Sequence, residues 1–481
     1  MFPHRIAILL ALALALALAL PAHSATLFVS PDGTGADGLS WNTALPTIGQ
    51  AIVASTTDDE IWIRSATYVE NITIERPLTL LGGFVGSETL GQRNSRDPSQ
   101  HPTVIDGNRN GSVVRAKGPI TLDGFSIVNG LARLEDGDRG SGLLLSDATA
   151  TLTRLKLSGN GEFTRRQSSG GGGMYAENST IRMTDCLMTK NLAGEGGGAM
   201  FTGCAIEVRD SLIGSNRGWI DGAGLYIRDG SSVFLNTEIS DNLVNGGDGG
   251  GCYIESGHAA FLGCQFLENV VYHFSPGPLP VPFLVKFGGA VACYRVEEVR
   301  FVNSLFTGNR GTGVGLTAGS ILYSKDSEQI HFTHCTIIAL QYASFSAQDQ
   351  PIHIENSLVV GQDLDRILQP SPVSYSLIEG GHMGEGNIDA DPLFVDPENG
   401  DYRLRYGSPC IDAGAETDLM TDLDGNPRPV DIIGLGHDGP AAFDMGAYEF
   451  QSPRSDLNRD GYVNHLDLMI LQQDWGKVSG P

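Results

Sequence analysis

Apolar and polar residues alternate by two along much of this chain, in short runs that end at glycine, aspartate or asparagine. Counting back from a recurrent asparagine brings these runs into register. Three and five positions before it stand Met188 and Cys186, Ile213 and Ser211, Ile239 and Thr237, Phe266 and Cys264, Phe306 and Ser304. Eight and ten positions before it stand Met183 and Ile181, Val208 and Ile206, Phe234 and Ser232, Phe261 and Ala259. A period of two predicts strands with one buried face, and the change of parity between runs predicts a bend at Asp185, Asp210 and Asn236. The closing asparagines are Asn160, Asn191, Asn216, Asn242, Asn269 and Asn309, spaced from 25 (Asn191 to Asn216) to 40 residues (Asn269 to Asn309). Such a repeat predicts an all-β stacked solenoid with three strands per coil, each pairing with its equivalent in the next coil. Parallel sheets built this way have no free lateral edge. The asparagine suits a terminal turn, because it tolerates the left-handed region and its amide can bond along the stack.

The flanks follow other patterns. Ile6 to Leu20 is an unbroken apolar run, followed by Pro21 and small residues at Ala22 and Ser24. It reads as a secretory signal over residues 1–24, too short for a membrane span, and predicts a secreted or cell-surface protein. No cysteine follows the cut, so a lipid anchor there is not expected. Within residues 25–60, Leu45, Ile48 and Ile52 line one face behind Pro46, which predicts a short helix capping the open end of the stack. Coils are expected over residues 61–361, terminal coils and a cap over 362–451, and a separate tail over 452–481.

Acidic residues outnumber basic ones 56 to 31, for a net charge of -25. That excludes nucleic acid, which needs a basic footprint, and suits divalent cations or simply a solvated surface. The seven cysteines read as core residues. Cys186, Cys264 and Cys335 share one column two or more rungs apart, beyond disulfide reach. A bridge among Cys204, Cys252, Cys293 and Cys410 stays open.

The opening DGTGADGLSWNTALPTIGQAI and the GGG-strand coils resemble the bacterial right-handed parallel β-helix proteins of the pectin-lyase-like superfold, over about residues 26 to 361. The GGAM, GGAV, FLEN and FTGN pieces are also similar to repeats of polymorphic outer-membrane adhesins, without the barrel that ends those proteins. SYSLIEGG, NIDADPLFVDP, GDYRLRYGSPCIDAG, DLDGNPRPVD and DMGAYEF resemble the terminal segment of secreted β-helix proteins with interchangeable, choice-of-anchor C-termini. Its aspartates read first as turn formers.

Residues 456 to 467 read DLNRDGYVNHLD. Asp456, Asn458, Asp460, the carbonyl of Tyr462, Asn464 and Asp467 fall at positions one, three, five, seven, nine and twelve, with Gly461 at six. That is the oxygen spacing of an EF-hand-type Ca²⁺ loop, and Leu466, Met469 and Ile470 predict a helix behind it. The segment resembles one type I dockerin repeat. Calcium follows from the matched residues; a cohesin-like partner would normally require two repeats, and a sorting or attachment tail is the alternative.

Two outward columns are candidates for function. Tyr175, Met200, Tyr226 and Tyr253 stand sixteen residues before the asparagine. At a strand spacing of about 4.8 Å they form either a platform for successive sugar rings or an aromatic ladder stabilising the sheet. Glu195, Asp221 and Asp248 stand twenty-one residues before it, on three consecutive coils. Carboxylates roughly 5 and 10 Å apart bracket retaining and inverting glycosidase geometries. They equally suit a calcium site or the start of a glycine-rich turn. The chain lacks the NTD, double-Asp, GHG and RIK set of polygalacturonases and the WIDH-like or RxPxxR stretches of pectate lyases. Arg165, Arg166 and Lys286 lie in long turns and are candidate lyase bases. The reading is a β-helix that binds polysaccharide or a surface glycan. A polysaccharide lyase or glycoside hydrolase is the alternative, and an adhesin or structural surface protein the second.

Overall fold

The computed structural model describes residues 24–132, 139–162, 170–272, 288–312, 319–339, 345–348, 350–361, 371–432, 434–436, 442–452, 455–457 and 463–474. The proposed signal run, Arg165, Arg166 and Lys286 lie outside them. Among the described residues the coils build three parallel sheets of nineteen, twelve and five strands, a coil giving the first sheet either one long strand or two short consecutive ones. In one coil the strands are Ala199–Arg209, Leu212–Gly214 and Arg217–Gly218. Register is kept over many rungs: Met174 pairs with Ala199, Ala199 with Leu225, Leu225 with Cys252, and Cys252 with Val291. The chain is therefore a parallel β-helix, and positions found by counting along the sequence form rows in space.

Inward side chains stack like with like. Phe234, Phe261, Phe301 and Phe332 are fully buried, with neighbouring ring centroids 4.8, 5.2 and 4.7 Å apart. The cysteine column interleaves with hydroxyls: Cys186 N–H donates to Ser211 Oγ at 3.1 Å and Cys335 N–H to Ser357 Oγ at 3.0 Å. All seven cysteines are buried free thiols, so the bridge left open by the sequence is not formed.

The asparagines form a continuous buried ladder. From Asn191 onward each Oδ1 accepts both the backbone N–H and the side-chain Nδ2 of the preceding asparagine, as Asn216 does from Asn191 at 3.0 and 3.1 Å. Each Nδ2 also donates to a carbonyl one coil back, Met188 O at 2.8 Å for Asn216. The expected left-handed backbone falls one residue earlier, at Lys190, Ser215, Asp241 and Glu268. The ladder residue is thus selected for its amide, not for its backbone freedom. The same packing explains the glycines: a Cβ at Gly198 would lie 2.9 Å from Asn216 Nδ2 and 2.5 Å from Gly224 O.

At the other corner a left-handed residue recurs in ten successive coils, at Gly124, Arg154, Asp185, Asp210, Asn236, Gly263, Asn303, His334, Asn356 and Tyr375. A helix, α1 (Ile48–Ala54), buries Ile48, Ala51 and Ile52 into the main core. Glu70 accepts the N–H groups of Ile48 and Gly49, both at 2.9 Å, satisfying the start of that helix.

Leu377–Ile378 is the last strand of the second sheet. Beyond it the chain folds back along the outside of that sheet, where Phe394, Tyr402, Cys410, Ile411 and Met445 pack on Leu305, Ile338 and Leu358. This segment bonds to three successive corners. Asn303 Nδ2 donates to Thr421 O at 2.6 Å and Asn356 Nδ2 to Ala415 O at 3.0 Å, while Arg428 reaches Asn303 Oδ1 at 3.1 Å. His334 meets Phe443 with the two rings tilted by 49° and their centroids 6.1 Å apart. A last helix, α2 (His465–Asp474), follows. No helix among the described residues is long and apolar enough to cross a membrane.

Candidate functional site

The outer face of the first sheet carries two adjacent columns. The nearer is Tyr175, Met200, Tyr226, Tyr253, Ala292 and Tyr323, which pair rung by rung. Two residues further along each strand runs Glu177, Thr202, Arg228, Glu255, Tyr294 and Lys325. Counting missed this second column, although the period of two that placed the tyrosines also places it.

The tyrosine row is real, but it is not an open platform. Tyr175, Tyr226 and Tyr253 are 2, 2 and 8% exposed. Tyr226 and Tyr253 stack on each other at 4.9 Å, and Tyr253 stacks on Tyr294 at 5.2 Å. Their faces are turned along the stack and covered, which corrects the expectation that they lie open to sugar rings. Arg139 and Arg228 lie over the Tyr175 and Tyr226 rings.

Those neighbours form two ionic groups. In one, Arg139 lies over the Tyr175 ring and donates to its hydroxyl at 2.8 Å, and that hydroxyl lies 3.3 Å from Glu177 Oε2. In the other, Glu255 Oε2 accepts from Tyr226 Oη at 2.6 Å and from Arg228 Nε at 2.8 Å, and Arg295 pairs with Oε1. Burial acts to raise the Glu255 carboxyl. The bonds from Tyr226 and Arg228 outweigh it and hold the group below its ordinary range. Burial pushes the Tyr226 and Tyr253 hydroxyls well up, so they stay protonated donors.

The three turn carboxylates do fall on consecutive rungs, bonded through Gly196 N–H to Asp221 O at 3.1 Å and Gly222 N–H to Asp248 O at 3.0 Å. Their surroundings differ. Asp221 Oδ1 accepts the Asp248 N–H at 2.8 Å, a turn-making bond. Asp248 is 4% exposed and accepts from the Tyr294 hydroxyl at 2.7 Å. Glu195 is half-buried; burial raises its carboxyl above the usual range, against the charges of Arg228 and Arg139. The acids therefore split into two structural groups and one, Glu195, whose proton affinity is tuned upward.

The segment expected to bind calcium is described only at its ends. Asn458, Asp460 and Tyr462 lie outside the described residues. Asp456 and Asp467 are 5 and 3% exposed. Asp467 takes the N–H of Leu457 at 2.6 Å and of Asn464 at 2.7 Å, which draws the twelfth position onto the second and ninth. The donor set fits a hard oxygen-seeking cation in that a buried carboxylate is brought to each end of the loop. Among the described residues no group of three or more His, Cys, Asp and Glu is placed to hold a metal.

Other cavities on the described surface contain none of these residues, two of them on the carboxy-terminal coils. One, of about 720 Å³, sits between the second sheet and the folded-back segment, beside Glu379, Asp389, Phe394 and Tyr402. The other, of about 510 Å³, lies on the first sheet beside the stacked His331 and His353.

Residues 100–271 and 141–337 match the family model of the right handed beta helix region. Among solved structures, the chain is similar to the pectate lyase Pel9A at 12% identity, covering 89% of this chain and 97% of that one, with a TM-score of 0.39. It is similar to the pectin methylesterase PemA from Erwinia chrysanthemi at 13% identity, covering 61 and 92%, with a TM-score of 0.29. The pectin methylesterase from Aspergillus niger gives 16% identity, 73 and 95% coverage and a TM-score of 0.27. No curated protein matches the sequence.

Proposed function

We propose that this right-handed parallel β-helix binds a polysaccharide or surface glycan along the outer face of its first sheet. The observation that carries the reading is a pair of ionic groups on one face, Arg139 with Tyr175 and Glu177, and Arg228 with Tyr226, Glu255 and Arg295, separated by the single rung of Met200 and Thr202. Hydroxyl-rich chains are recognised by such planar, partly ionised donors and acceptors, and a fixed rung spacing suits a repeating ligand. Arg295, 65% exposed at the side chain, lies at the rim. Arg295→Ala is expected to weaken retention on the preferred glycan roughly tenfold while leaving the thermal midpoint unchanged. Affinity electrophoresis across a polysaccharide panel tests this; no retention of the wild type on any member, or an unchanged variant, defeats it.

A second reading, hydrolysis or lyase cleavage, is favoured by the raised Glu195 carboxyl, the property of a general acid. It predicts new reducing or unsaturated ends that vanish in Glu195→Gln while binding persists. Binding without such ends assigns the face to recognition alone.

The tail is proposed to hold Ca²⁺ through Asp456, Asn458, Asp460, the Tyr462 carbonyl, Asn464 and Asp467, and to tether or sort the protein outside the cell, with a cohesin-like protein as one partner. Terbium emission sensitised by Tyr462 is expected from the whole protein, displaced by calcium and lost in Asp467→Ala. Emission that survives Asp467→Ala would place the cation elsewhere.

A further inference from the structure

The two ionic groups on the tyrosine face repeat one motif. In the first, the Tyr175 hydroxyl accepts from Arg139 at 2.8 Å and lies 3.3 Å from Glu177 Oε2. In the second, the Tyr226 hydroxyl accepts from Arg228 at 2.5 Å and donates to Glu255 Oε2 at 2.6 Å. Each guanidinium lies 5.1 Å from the centroid of its tyrosine ring. The arginines reach this arrangement from different backbone positions, Arg139 from the coil before its tyrosine and Arg228 from two residues further along the same strand. The likeness therefore belongs to the side chains and is not a by-product of the backbone repeat.

The rung between them does not extend the motif: Met200 is 2% exposed and carries no hydroxyl, and Thr202 Oγ1 is buried. The polar units thus recur every second rung, at about 9.6 Å, twice the strand spacing. That is the length of two sugar units in an extended chain. A β-1,4-linked chain with a two-fold twist turns the same edge to one side at every second unit. An α-1,4-linked chain coils away from a flat face.

Charge decides between neutral and acidic chains. From Tyr175 to Glu255, this face and the turn before it carry Arg139, Arg228 and Arg295 against Glu177, Glu195, Asp221, Asp248 and Glu255. Arg228 and Arg295 are both held by Glu255, and Arg139 shares its tyrosine hydroxyl with Glu177. Glu195 lies in the fields of Arg139 and Arg228. A ligand carboxylate would have to displace Glu255 or approach Glu195, and like charges side by side oppose binding. A neutral hydroxyl can use the remaining guanidinium N–H groups and carboxylate lone pairs without any exchange of partners. Arg115, Lys117 and Lys325 stand two rungs beyond the ends of this stretch, and Lys117 is paired with Asp147 at 3.5 Å.

We propose that the tyrosine face selects a neutral, extended β-1,4-linked glycan and rejects the corresponding polyuronate, its two hydroxyl–guanidinium–carboxylate units holding alternate sugars. The proposal rests on the glycan reading of this face and names the class of chain it takes. Glu255 sets the specificity, because it occupies the two arginines that an acidic chain would need.

The test is calorimetry on the whole protein at low salt with four hexamers. Cellohexaose and maltohexaose differ in linkage alone; β-1,4-linked mannohexaose and its uronate differ in charge alone. The two neutral β-1,4 chains are expected to bind, and maltohexaose and the uronate roughly tenfold more weakly or worse. Tyr226→Phe keeps the stacked ring and should lose roughly tenfold in affinity. Glu255→Gln releases Arg228 and Arg295 and should raise uronate affinity roughly tenfold. Uronate bound as tightly as mannohexaose, maltohexaose as tightly as cellohexaose, full binding by Tyr226→Phe, or uronate affinity unmoved by Glu255→Gln would each overturn the proposal while leaving a glycan face in place. Binding of none of the four would instead defeat the reading of the face itself.

Discussion

Arg428→Met is expected to release the folded-back carboxy-terminal segment from the solenoid at a cost of about 3–5 kcal/mol, the usual penalty for breaking a buried ion pair by removing one partner. Arg428 is 1% exposed and lies 2.9 Å from Glu449 Oε2. It also donates to Asn303 Oδ1 at 3.1 Å and Gly446 O at 3.0 Å. Glu449 in turn takes the N–H of Val430 at 2.7 Å and of Asp444 at 3.2 Å. Methionine keeps the volume, so the loss is not a cavity effect. What remains is a buried carboxylate next to Asp444, which is itself fully buried and, through burial and the Glu449 charge, held well above its ordinary range. Limited proteolysis should then cut within residues 387–450 while the coils resist. Urea unfolding should show an early transition absent from the wild type. The double variant Arg428→Met, Glu449→Met should recover most of the loss, because it leaves no unpaired charge. A single variant as protease-resistant as the wild type would show that the pair does not hold the segment.

Asn216→Ala should cost about 3–5 kcal/mol in the stability of the coil stack. The methyl group removes the acceptor of the Asn191 N–H and of one Asn191 Nδ2 hydrogen, the other staying on Leu157 O, and it removes the amide donor to the Met188 carbonyl. Each orphaned group costs about 1–3 kcal/mol. Asn216→Asp is the informative control. It retains the acceptor for Asn191 but turns a second acceptor toward Met188 O and toward Asn242 Oδ1, which now receives the Asn216 Nδ2 at 3.1 Å. Both variants should lower the urea midpoint severely. If the aspartate variant matched the wild type, the ladder would be incidental to stability.

The coils were legible in the sequence because every partner lies one coil away. A residue and its neighbours in space are related by a nearly fixed offset, so asparagine, phenylalanine and small-residue columns appear by counting. The bend at Asp185, Asp210 and Asn236 was found the same way, and all three are left-handed. Contacts without a repeat could not be found so. Nothing in DLDGNPRPVD announces that Arg428 will meet Asn303, 125 positions away. Exposure was equally hidden: a tyrosine on an outward strand position reads as accessible, whereas Tyr226 is covered by its own neighbours, Tyr253 and Arg228. The left-handed residue before each ladder asparagine was misplaced by one, because asparagine itself tolerates that backbone. Lys190 and Glu268 carry no such mark.

The clasp at Asn303, His334 and Asn356 alters how such a rod comes apart. A simple stack erodes like a zipper, one rung at a time from whichever tip is weaker. Here the carboxy-terminal tip is bound crosswise to three rungs at once, so peeling its outermost winding must also strip the clasp from the rungs beneath. The tip gives way as a block or not at all, which shifts stepwise fraying to the opposite end of the rod.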